Sequence, residues 1–133
     1  MSPEEKNTQI IADMIAMAKA DHNLDTREYD FIVAVADRLH ISEKQVQDLV
    51  DHPIATRTFK TELERITQFH RLVLVMHIDN HSHESEIVAI RNYGLRHGIR
   101  QEAITQILEE MQEYEHKIIP AQRLVEIFKR FYN

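Results

Sequence analysis

Two carboxylate pairs stand at equal spacing in the chain: Asp21 with Glu28 and Asp79 with Glu86, each glutamate seven residues after its aspartate. Asp25 lies between the first pair, and His77, His81 and His83 crowd the second. Carboxylate oxygens of this kind suit a hard divalent cation such as Ca²⁺, Mg²⁺ or Mn²⁺, and a neighbouring imidazole extends the choice to Zn²⁺. The candidate metal ligands are therefore Asp21, Asp25, Glu28, Asp79, His83 and Glu86. Neither stretch is an EF-hand, which needs a twelve-residue loop with glycine at its sixth position. A purely structural alternative uses the same residues. Asp21 and Asp79 would cap loop amides, while Glu28 and Glu86, in the first turn of the following helix, accept hydrogen bonds from the loop and face a favourable helix dipole.

Other chemistries lack their residues. His83 and Glu84 open an H-E-x-x-H pattern, but position 87 is Ile87. His77 and His81 are four apart, yet Asp79 and Asn80 end the helix between them. Ser2, Ser42, Ser82 and Ser85 mostly fall where helix caps belong, no G-x-S-x-G elbow occurs, and two glycines cannot build a phosphate-cradling loop. No catalytic residue is assigned, and the chain reads as a non-enzyme.

Helices must position these acids, because two glycines and three prolines leave little material for hairpins and no run alternates for long with period two. Ser2, Pro3 and Glu5 form a start signal, and Ile10, Ile11, Met14, Ile15 and Ala18 follow on one face until about Ala20. Thr26 caps a second helix with Tyr29, Ile32, Val35, Ala36 and Leu39 inward. Ser42 and Gln45 open a short third helix, which Pro53 stops. A fourth runs from about Phe59 through Leu63, Ile66, Phe69, Val73 and Met76, and its last turns are apolar nearly all round, as in a central helix. A fifth begins at Ser82 or Glu84 and ends near His97 and Gly98, where glycine suits a left-handed position. A sixth starts at about Arg100, and Pro120 fits the first turn of a seventh bearing Leu124, Ile127, Phe128 and Phe131. Met14 and Met17 cannot both face inward unless another helix covers one of them.

A shift of 58 residues lays the first three helices on the fourth to sixth without a gap: Asp21 falls on Asp79, Glu28 on Glu86, Ile32 on Ile90, Arg38 on Arg96 and Ile41 on Ile99. The expected architecture is all-α, about seven helices in one domain over residues 1–133. Two pseudo-symmetric three-helix units, approximately 7–53 and 65–111, precede a closing C-terminal helix. The paired stretches, AKADHNLDTRE from Ala18 and MHIDNHSHESE from Met76, resemble the repeated A-x-x-D-G-x-[IL]-x-x-x-E motif of the TerB-like (tellurite resistance protein B) superfamily. Asp21, Leu24 and Glu28 match in the first copy and Asp79 and Glu86 in the second, while His22 and Asn80 replace the usual glycine and Ser82 the usual apolar residue. The resemblance spans about Asn7 to Met111. It implies an all-helical fold, association with stress response and tellurite or metal-ion resistance, and divalent-metal binding through the acidic residues.

Composition limits the remaining possibilities. At 133 residues the chain can bury about two thirds of its unfolded surface in one core. A formal charge of -6 argues against nucleic acid as a partner, since only Lys129 and Arg130 hint at a basic face. No apolar run approaches the roughly 20 residues of a membrane span. The absence of cysteine removes disulfides and thiolate sites. The opening MSPEEK lacks the pattern of a signal peptide, so a cytoplasmic location is expected. The reading is thus a binding module that takes a divalent cation. A metal-free scaffold for an unknown protein partner is the alternative, and a metal-dependent hydrolase is the third.

Overall fold

A computed structural model describes residues 1–20, 23–76 and 84–132, apart from the side chains of Glu84, Ser85, Glu86, His116 and Tyr132. Among the described residues seven α-helices follow one another: α1 Pro3–Ala18, α2 Thr26–Arg38, α3 Glu43–Asp51, α4 Glu62–Met76, α5 Glu84–Arg96, α6 Gln101–Glu110 and α7 Ala121–Tyr132. Two single 3₁₀ turns, Met111–Glu113 and Glu115–Lys117, lead into α7. No strand occurs among the described residues.

Side-chain caps explain most of the starts. Ser2 and Glu5 close a capping box on α1, with Pro3 just inside the helix, and Ser42 and Gln45 do the same for α3. In α2 the cap is Asp25 rather than Thr26, because the Asp25 carboxylate takes the Glu28 amide and leaves Thr26 as the first helical residue. α4 begins at Glu62, later than about Phe59: Thr61 and Glu64 exchange backbone and side-chain bonds there and set the start. Phe59 packs into the core just ahead of the helix. Leu63, expected inward, is left at the rim of a shallow cleft beside Ile10 and Thr67.

The second triplet repeats the first in its bounds and in its stops. Residues 26–38 recur as 84–96, each 58 positions on. The Ile41 amide donates to the Ala36 carbonyl at 2.8 Å, and 58 positions on the Ile99 amide donates to the Gly94 carbonyl, also at 2.8 Å. Between them His40 and Gly98 hold the same left-handed position, with φ of 62° and 79°. Both stops are thus built as a helix end that turns left-handed and returns an amide to the last turn.

One apolar cluster draws on all seven helices, with α1 and α4 at its centre. There the Gln68 side chain donates to the Ile10 carbonyl at 3.0 Å, so two positions 58 apart meet where the helices cross. Met14 and Met17 are both buried because α2, α3, α4 and α5 all pack on α1. α7 lies against α6 and α4. Leu124, Ile127 and Phe128 are buried there, the Arg123 guanidinium grips both Glu110 oxygens at 2.7 and 2.8 Å, and the His70 imidazole accepts the Ile119 amide at 3.2 Å. Among the described residues no helix is long and apolar enough to cross a membrane.

Candidate functional site

The first acidic corner is organised around Asp25 and Glu28. The Glu28 amide donates to Asp25 Oδ1 at 2.8 Å, and Glu28 Oε1 accepts the Asp25 amide at 3.2 Å, so each residue satisfies an amide that the start of α2 would otherwise leave open. Glu28 is buried, only 1% exposed, and so lies within the corner rather than on its surface. Glu28 therefore does what the structural alternative asked of it, and Asp25 performs the capping as well. Asp21, Asp79 and His83 lie outside the described residues. Glu86 occupies the first turn of α5, with its side chain outside the description. Among the described residues no three His, Asp or Glu side chains converge in a group able to hold a metal ion.

A second constellation lies elsewhere, between α1 and α5, and rests on a residue that sequence reasoning passed over. Asp13 sits inside the apolar stripe of α1, 4% exposed. Its Oδ1 takes the Gln9 amide at 2.8 Å and the Thr56 hydroxyl at 3.4 Å. Burial pushes the Asp13 carboxyl up to about 6, against the pull of its neighbouring donors. The Tyr93 hydroxyl is likewise buried, and burial followed by the charge of Asp13 raises its pKa. The two side chains lie against one another, and a hydrogen-bonding contact between them contributes to both shifts. His97 stacks on the Tyr93 ring, centroids 4.2 Å apart, and burial lowers its pKa.

Asp13 and Tyr93 line a cleft of about 250 Å³ together with Met17, Thr56, Leu72, Asn92 and Arg96, and with Ala16 and Ala89. A lone acid in the run from Ile10 to Ala18 was the available signal. A carboxylate in an apolar stripe must either find partners inside or carry a penalty.

The class of protein is thereby defined: an all-helical bundle in which two like three-helix units share one core, with a carboxylate-braced corner leading into α2. Residues 1–51 match the family model for tellurite resistance protein TerB. That match takes in α1 to α3 and the first acidic corner, so over its first three helices the chain is similar to the TerB family. No curated protein and no solved structure matches it significantly.

Proposed function

We propose that the protein is a non-enzymatic, stress-associated binding module of the tellurite-resistance kind, whose acidic corners contact a divalent cation. The observation that carries this reading is Glu28. A carboxylate 1% exposed, braced against Asp25, stands at the corner within the stretch that matches tellurite resistance protein TerB. A capping box needs no such burial: the Ser2–Glu5 box on α1 performs the same task on the surface. Asp25 and Glu28 would supply oxygens there, with Asp21 as a third acid from the same loop. Two carboxylates alone fall short of the six to eight oxygens that Ca²⁺ takes. In the second corner Asp79, His83 and Glu86 would play the corresponding parts.

Calorimetric titration with Ca²⁺, Mg²⁺, Mn²⁺ and Zn²⁺ tests the reading. At least one ion should give saturable heat, and Asp21→Asn with Glu28→Gln should abolish it. Silence from all four ions removes the cation from the proposal. The metal-free scaffold reading is favoured by a different observation. Val88 and Leu95, two turns apart on α5, are each about half exposed, at 52% and 53%, and offer an apolar stripe to a protein partner.

A further inference from the structure

A second cleft, of about 240 Å³, is lined by Ile10, Phe59, Leu63, Glu64, Thr67 and Arg71, and shares no residue with the cleft of Asp13 or with the acidic corners. Leu63, Thr67 and Arg71 stand four positions apart on α4, so they form one row along the helix, about 12 Å from first to last. The row begins apolar and ends in a cation. Phe59 and Ile10 add apolar wall, and Leu63 is left 58% exposed at its edge.

The two charged groups of the lining differ in what holds them. Both oxygens of Glu64 are engaged: Oε1 accepts the Thr61 amide at 3.2 Å and the Thr61 hydroxyl at 2.8 Å, and Oε2 pairs with Lys6 Nζ at 3.1 Å. Arg71 is half-buried, yet its guanidinium makes one hydrogen bond, from Nη1 to Gln68 Oε1 at 3.2 Å, and meets no carboxylate among the described residues. The acid that acts on its charge is the Tyr93 phenol, which burial keeps protonated at neutral pH. A guanidinium withdrawn this far from water is ordinarily paired, because it carries five donors and a full charge. Arg71 lines the cleft without being fully buried, so its remaining donors can be reached from it.

An organic cation would be opposed by Arg71, and a neutral apolar molecule would leave its charge unanswered. A phosphate would bring a second negative charge towards Glu64 and find a single arginine. One guanidinium matches the two oxygens of one carboxylate in a planar, bidentate pair. The volume exceeds the roughly 150 Å³ cavity that admits benzene, which leaves room for a body of about six to eight carbons.

We infer that this cleft binds a small apolar monocarboxylate, an aromatic or short-chain fatty acid, with its carboxylate on the Arg71 guanidinium and its hydrocarbon body along Leu63 and Thr67, against Ile10 and Phe59. The charged end sets the class of ligand, and the apolar row sets its length.

The test titrates the full chain with benzoate and with hexanoate at constant ionic strength, following backbone amide shifts and melting temperature. Benzyl alcohol supplies the body without the charge, and acetate the charge without the body. At least one of the two acids should shift the amides of Leu63, Thr67 and Arg71 saturably and raise the melting temperature, and both controls should bind about tenfold more weakly or worse. Arg71→Met keeps the length of the side chain but removes its charge, and should weaken the acid about tenfold or more while leaving benzyl alcohol unchanged. Leu63→Ala, at an exposed position, should weaken it about threefold through lost apolar contact. The inference is overturned if neither acid shifts these amides, if benzyl alcohol or acetate binds as tightly as the better acid, or if folded Arg71→Met keeps the wild-type affinity. Should Arg71→Met fail to fold, Leu63→Ala carries the test, and an unchanged affinity there overturns the inference equally.

Discussion

Asp13 is the residue at which burial and charge conflict. Its carboxyl titrates at about 6 in the fold, against an ordinary value of 3.8, so folding favours the protonated form. The stability tied to this group is fully present below 3.8 and is lost as the pH rises through 6. At pH 7.5 the buried charge costs on the order of 3 kcal/mol. Asparagine removes that charge and still presents an oxygen to Gln9 and Thr56. Asp13→Asn should therefore be more stable than the wild type at pH 7.5 by up to about 3 kcal/mol, and the difference should shrink to near zero at pH 4. Urea unfolding of both proteins at the two pH values measures it. His70 and His97, whose pKa values fall on burial, lose stability on acidification in both proteins and cancel in the comparison. If the variant gains nothing at pH 7.5, the carboxylate carries no burial cost.

The two matched helix ends allow a prediction at the scale of the element. His40 and Gly98 hold the same left-handed position after α2 and α5, but only glycine does so without steric cost. His40→Gly should stabilise the protein by about 0.5–1 kcal/mol, and Gly98→Ala, with no atom within 4 Å of the added methyl, should cost about 1 kcal/mol through backbone strain alone. Thermal unfolding of both variants checks the pair. Equal effects of the same sign would show that the two stops are not equivalent. Caps and stops were the legible features of this fold. Ser2, Ser42 and Gly98 read correctly because each acts through bonds within a few residues. The start of α4 was misplaced because Phe59 belongs to the core without belonging to the helix, a matter of tertiary packing that periodicity does not encode. Leu63 was misread for the same reason. The 3₁₀ turns before α7 had no sequence signal: Lys117 holds φ of 63° where no glycine announces it, and His70, 49 residues upstream, takes the Ile119 amide. At the site, spacing places Glu28 in the first turn of α2 as an acceptor for the loop, but its capping partner is Asp25 and not the expected Thr26. The Asp13–Tyr93 cleft could not be anticipated, because its halves lie 80 positions apart.

At the scale of the molecule, the two like units share a core that neither could form alone. α1 packs against α2 and α3 of its own unit and against α4 and α5 of the other, and Ile11, Met14, Ile15 and Ala18 are buried along it. Residues 1–58 contain α1 to α3 and keep the contacts of Asp13 with Gln9 and Thr56, but lose the helices that complete the core. A chain of about 60 residues is marginal even with a full core, and isolated helices this short are weak in water. The fragment 1–58 should therefore show little helix by circular dichroism as a monomer and no cooperative thermal transition. Mixed in equal amount with the fragment 59–133, it should regain helical signal and a single transition, because α1 can again cross α4 at Ile10 and Gln68. A monomeric 1–58 fragment that melts cooperatively would mean that each unit carries its own core, and the contact across α1 and α4 would then join two finished units rather than complete one.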